Sequence, residues 1–168
     1  MRVFVALLPS LASIEKIKPL CVEGFPSHHA SDLHMTLYFL GKSSHEQVLA
    51  LMGELASSTM HKAVKWRVDR QGWFPSERQP KVWALHGNMG ESLQQGLDQL
   101  ASLPSLILAR EFRPHVTLNP CGPSVNTTTM SQNMVCFKGE IIFDRLALMQ
   151  SVSGGATRYQ TLWQRELV

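Results

Sequence analysis

Two tetrapeptides, His34-Met35-Thr36-Leu37 and His115-Val116-Thr117-Leu118, stand 81 positions apart in a chain of 168 residues. Each lies in an apolar run with Gly or Pro at its end: Gly41 closes the first, and Pro114 and Pro120 bracket the second. In a strand, successive side chains point to opposite faces. His34, Thr36 and Tyr38 are therefore expected on one side, with Met35, Leu37 and Phe39 on the other. The second copy repeats the pattern, with His115, Thr117 and Asn119 against Val116 and Leu118. A chain that writes one such strand in each half is expected to fold as two related lobes, each burying one face of its motif strand.

The surrounding pattern alternates strand and helix signals. Strands are predicted at Arg2–Leu8, His34–Leu40, Lys62–Trp73, Lys81–His86, His115–Asn119, Val135–Phe143, Arg145–Gln150 and Tyr159–Leu167. Helices are predicted over Leu11–Cys21, capped by Ser10 and cut short by Pro19, and from Ser44 with Val48, Leu51, Met52 and Leu55 on one face. A third covers Gly90–Leu103 with Leu93, Leu97 and Leu100. The loop Glu23–Asp32 and the Ser/Thr/Asn-rich stretch Pro123–Asn133 separate these elements. Strands outnumber helices without strict alternation, which predicts an α+β fold with antiparallel or mixed sheets.

With 44% hydrophobic residues, the chain can bury one sizeable core without staples. One compact unit over residues 1–168 is expected. Cys21, Cys121 and Cys136 form an odd set without Cys-x-x-Cys spacing, which argues against a disulfide framework or a thiolate zinc site. A reducing cytoplasm is the expected setting. The N-terminal apolar stretch stops at Pro9 and reads as a strand rather than a signal peptide. No run approaches the roughly 18 apolar residues of a membrane span. The net charge of +3 and pI near 8.9 suit an anionic ligand held by a few placed groups rather than a dense basic stripe.

The motif has chemical content. Imidazole exchanges protons near neutrality, and a threonine hydroxyl one pleat away, about 7 Å along the strand, can donate a hydrogen bond to an oxyanion. If both strands line one cleft, His34 and His115 supply an acid and a base while Thr36 and Thr117 hold the oxygens of a phosphate. A single His-x-Thr is commonly an ordinary half-buried pair; its recurrence with matching flanks argues for catalysis. The other histidines read as solvated surface, except His86, which ends a strand. No His-Glu-x-x-His, Gly-rich phosphate loop or dinucleotide fingerprint is present, so neither metal nor cofactor is expected; zinc held by the two motif histidines and His86 is the minor alternative.

At these residues the chain resembles the 2H phosphoesterase superfamily, and within it the RNA 2′,3′-cyclic phosphodiesterases once described as 2′-5′ RNA ligases. The resemblance runs through Arg2-Val3-Phe4-Val5-Ala6, Leu33–Gly41, Pro80-Lys81-Val82-Trp83, Phe112-Arg113-Pro114 with the second motif, and Gly154–Tyr159. It implies two pseudo-symmetric lobes around a central cleft with helices outside. It also implies metal-independent hydrolysis of a cyclic phosphate to a 2′-phosphate, with His34 as acid and His115 as base. Substrates would be RNA or oligonucleotides ending in a cyclic phosphate, tRNA fragments among them, bound by a monomer with no membrane partner. Reversible 2′-5′ ligation, hydrolysis of another cyclic phosphate and noncatalytic nucleotide binding are the alternatives. Relatives commonly follow the second motif with a small and then a basic residue, where this chain has Asn119-Pro120. Arg113, Arg158 or Lys81 would have to supply the missing cation. Tyr38 is a further candidate substrate contact, and Phe39, Trp73 and Phe74 are other aromatic candidates, Phe39 with the core-facing phase.

Overall fold

The computed structural model describes residues 1–22, 29–107, 111–120, 136–155 and 157–168. Cys121, Arg110, His28, the Pro123–Asn133 segment and Ala156 lie outside them, as does most of the Glu23–Asp32 loop. Eight strands are described: β1 Arg2–Pro9, β2 Met35–Lys42, β3 Val64–Val68, β4 Arg70–Pro75, β5 Pro80–His86, β6 His115–Pro120, β7 Gly139–Ser151 and β8 Tyr159–Glu166. Helices α1 Leu11–Ile17, α2 His45–Ser57 and α3 Glu91–Leu100 accompany them. All pairings among these strands are antiparallel.

The strands form two sheets. In the first, β2, β1 and β7 run side by side, and β3 and β8 share the far edge of β7. The second runs β4, β5, β6. Each motif strand is thus the terminal strand of its sheet among the described residues, and β2 and β6 lie in contact. The fold is α+β, as expected.

Two strand boundaries differ from expectation. The alternating stretch 62–73 divides at Asp69, so that β3 joins the first sheet and β4 the second. The Asp69 N–H donates to the His86 carbonyl at 2.9 Å, tying the chain to the end of β5 where it changes sheets. Gly87, next along, presses on the Arg67 carbonyl so closely that a Cβ there would lie 2.1 Å from that oxygen. Conversely, the two strands expected at 135–143 and 145–150 are one 13-residue strand, β7. Its length is used by changing partners: it pairs β3 through residues 139–143 and β8 through 145–151.

Local signals set the helices. Ser10 caps α1 by accepting from Ser13 N–H, and the helix ends at Ile17, where a 3-10 turn takes Pro19 at a position that needs no N–H. Ser44 and Gln47 form a reciprocal capping box on α2, which buries Val48, Leu51 and Leu55. On α3, Leu93, Leu97 and Leu100 are buried. A single core cluster takes Val3, Val5 and Leu7 from the first sheet and Trp73, Trp83, Leu85, Val116 and Leu118 from the second.

Candidate active site

Both motif histidines are half-buried and held in the same way. His34 Nδ1 lies 2.6 Å from the Asp32 carbonyl, and His115 Nδ1 lies 2.9 Å from the Arg113 carbonyl, each two residues upstream. A carbonyl only accepts, so each Nδ1 carries the hydrogen and each Nε2 is the nitrogen whose protonation can change. Thr36 and Thr117, half-buried, follow on the same strand faces.

The resemblance between the motifs extends to a backbone irregularity. In β2, Val5 opposes Tyr38 and Ala6 opposes Thr36, leaving Leu37 as an extra residue. In β6, Trp83 opposes Asn119 and Ala84 opposes Thr117, leaving Leu118 extra. A β-bulge therefore sits at the fourth residue of each motif and reverses the alternation beyond it. Tyr38 is 4% exposed and packs in the core. The expectation that it touches substrate is overturned: the bulge, invisible to a period-2 reading, turns its side chain off the motif face. Burial and, secondarily, Asp98 push its phenol pKa up.

Asn119 is likewise turned inward and has no exposed surface. Its side-chain oxygen accepts from Val22 N–H at 3.0 Å, fastening the segment after α1 to β6. Phe39 moves in the opposite sense: expected in the core, it is 57% exposed. It opposes Phe4, just as Thr36 opposes Ala6, so Phe39 and Thr36 share a sheet face.

Around His34, sequence reading missed three supports. The Phe4 ring lies 5.0 Å from the imidazole, and Tyr159 meets it edge-on at 4.8 Å. Burial raises the Tyr159 phenol pKa, with Arg158 opposing and Asp32 adding to the shift. The buried Asp32 carboxylate accepts from Arg158 N–H through both oxygens, at 3.0 and 3.2 Å. The exposed Arg158 is thereby fixed beside the turn that bears His34.

His115 stacks on Phe74 at 3.8 Å and 14°. The exposed Arg113 lies over the same phenyl at 4.7 Å and donates to the Pro75 carbonyl. His86 opposes His115 in the ladder and bonds the Gly72 carbonyl through Nε2 at 3.1 Å. Burial lowers its pKa, the Gly72 hydrogen bond opposing, which favours a neutral ring next to His115. A cavity of about 410 Å³ opens beside Phe74 and His86, with Arg70, Arg113, Asp69 and Glu111 in its wall. Among the described residues no three His, Cys, Asp or Glu side chains gather as metal ligands. No described helix is long and apolar enough to cross a membrane.

The sequence model described as LigT-like phosphoesterase matches residues 12–84, a span that includes the first motif. Solved structures cover almost the whole chain. Escherichia coli LigT complexed with 3′-AMP is 24% identical, with 99% of this chain and 97% of that chain covered and a TM-score of 0.66.

The chain has the fold of the LigT-like phosphoesterases.

A protein described only as a phosphoesterase shares this LigT-like fold at a TM-score of 0.70 and 25% identity, over 99% of this chain and 97% of that one. The Thermus thermophilus protein TT0787 has a TM-score of 0.69 at 21% identity, over 99% and 98%. No curated protein matches. The resemblance to the 2H phosphoesterases holds in sequence over residues 12–84, which include the first motif, and in fold over nearly the whole chain.

Proposed function

We propose that this protein is a metal-independent phosphodiesterase that opens RNA 2′,3′-cyclic phosphate ends to 2′-phosphates. The observation that carries this reading is the paired tether. Two imidazoles, each holding its Nδ1 hydrogen on the carbonyl two residues back, stand at the starts of contacting strands, His34 just before β2 and His115 first in β6, with a threonine two residues on. The association of E. coli LigT with 3′-AMP supports a nucleotide as the ligand class.

In the forward reaction His115 Nε2 takes a proton from water as its oxygen forms a bond to phosphorus. The bond from phosphorus to the ribose 3′-oxygen breaks, and His34 Nε2–H delivers the proton to that oxygen. His34 begins doubly protonated and His115 neutral; both states leave the Nδ1 hydrogen on its carbonyl, so neither tether breaks during turnover. Hydroxyls of Thr36 and Thr117 donate to the nonbridging oxygens, where charge develops. Arg158 and Arg113 stand beside the two histidines as candidate cations for the phosphate. An RNA 5′-hydroxyl in place of water, losing its proton to His115 as its oxygen bonds to phosphorus while His34 protonates the departing 3′-oxygen, would give a 2′-5′ linkage, and reversal of either reaction exchanges acid and base.

Purified protein in EDTA should convert a cyclic-phosphate-terminated oligonucleotide to a 2′-phosphate. His34→Gln and His115→Gln should each lower kcat by about 10²- to 10⁴-fold. Full activity in both variants refutes the reading, and dependence on a metal removes its metal-independent part. Recovery of joined 2′-5′ product in place of a 2′-phosphate assigns ligation, and nucleotide binding without turnover across pH 5 to 9 assigns a binding module.

A further inference from the structure

We infer that Phe74 is the positioning residue of the second motif: its phenyl face fixes the plane of the His115 imidazole and with it the direction of Nε2. The inference rests on the proposed phosphodiesterase reading for what His115 does; the stack itself follows from strand order and register.

The Nδ1 bond to the Arg113 carbonyl holds one atom of the His115 ring. Rotation about that bond would swing Nε2 across the cleft, so a second contact is needed to fix the ring plane. His34 has Phe4 and Tyr159 against it, Tyr159 edge-on at 81°. His115 has Phe74, which meets it face to face, with 3.8 Å between ring centroids and 14° between planes. Offset or parallel ring faces attract when their centroids are this close, and a flat stack restrains the imidazole plane in a way that an edge contact does not. The two halves thus share the tether and differ in the brace.

The second sheet is built to allow this contact. Phe74 and His115 belong to β4 and β6, with β5 between them. In register, Phe74 opposes Val82, whereas His115 opposes His86, which opposes Arg70. The row between these two carries Gly72, Ala84 and Thr117, side chains small enough for a phenyl to lean across β5 and reach the imidazole. The leaning ring also comes within 6.0 Å of the His86 ring. On the same phenyl stands Arg113, its guanidinium carbon 4.7 Å from the ring centroid and its Nη1 donating to the Pro75 carbonyl at 3.3 Å. One half-buried ring therefore orders both the base and a neighbouring cation. Phe74, an aromatic candidate for stacking a nucleobase in the sequence, is engaged instead by the protein's own groups.

The test reads the imidazole directly as well as turnover. In proton NMR of the full chain, the His115 ring protons, assigned by their loss in His115→Gln, should resonate upfield of those of the exposed His29, His45 and His61, because they lie over a phenyl face; Phe74→Leu should abolish the shift. On a cyclic-phosphate-terminated oligonucleotide, Phe74→Leu should lower kcat by about 10- to 100-fold, and by more than it raises KM. Phe74→Tyr, which keeps the ring face, should retain both the shift and kcat. Absence of the upfield shift in the wild type overturns the inference. So does an unchanged kcat in Phe74→Leu, a rise in KM that matches or exceeds the fall in kcat, or equal loss in Phe74→Leu and Phe74→Tyr. If thermal unfolding shows Phe74→Leu to be unfolded at the assay temperature, the wild-type shift and its retention together with kcat in Phe74→Tyr decide the matter. A wild type with the shift and no turnover would remove the phosphodiesterase reading and leave the brace standing; turnover that ignores Phe74 would do the reverse.

Discussion

Asp32 holds the first motif from two directions. Its backbone carbonyl receives the His34 Nδ1 hydrogen, while its buried carboxylate receives the Arg158 N–H. Removing the carboxylate leaves that N–H without its acceptor, a loss of about 1–3 kcal/mol for a buried group. Asp32→Ala should therefore lower the urea midpoint and depress kcat, because the turn bearing His34 loses its anchor. Asp32→Asn, whose amide oxygen can accept the same hydrogen, should retain most of both; equal loss in the two variants would assign the carboxylate a charge-dependent role instead. The histidines and threonines were legible in the sequence because their types recur at fixed spacing. Asp32, Phe4 and Tyr159 were not, since they converge on His34 from distant stretches of chain and carry no spacing signal.

At the scale of elements, β2 and β6 share a device that hydropathy cannot report. Period-2 patterning predicts one polar and one apolar face along a whole strand, and that holds from His34 to Thr36 and from His115 to Thr117. The bulge at Leu37 and at Leu118 then inverts it, burying Tyr38 and Asn119 and exposing Phe39. A bulge is fixed by the register with the neighbouring strand, so it is settled only when β1 and β5 dock. Another long-range device secures α2. Arg165, on β8, donates to the carbonyls of Leu55, Ala56, Ser58 and Met60 and to the Ser58 hydroxyl. Its planar fork satisfies the end of α2, where carbonyls lack helical partners. Arg165→Lys should cost about 1.5–3 kcal/mol in denaturant unfolding while leaving the KM for a cyclic-phosphate substrate unchanged. A loss below roughly 0.5 kcal/mol, that of an ordinary surface change, would show that water replaces the fork.

Across the whole molecule, the core runs unbroken from the first sheet to the second, and we propose that the two sheets unfold as one unit. Leu7→Ala and Leu118→Ala, one in each sheet and both with fully buried side chains, should each remove about 2–5 kcal/mol. Both should shift one common transition monitored by tryptophan fluorescence and by circular dichroism. Two separable transitions, each moved by only one of the substitutions, would show that the halves fold independently. The sequence by itself determined the α+β class, the helix caps, the apolar faces and the two His-x-Thr pairs, because propensity, capping and periodicity are properties of neighbouring residues. Only the tertiary structure decided that 62–73 divides between two sheets, that β7 is continuous, and that both motif strands are bulged and meet as the terminal strands among the described residues. Those outcomes depend on which strands pair and in what register, and pairing is fixed by contacts between residues far apart in the chain. The face presented beyond each threonine, and with it the exposure of Phe39, belongs to that second kind of information.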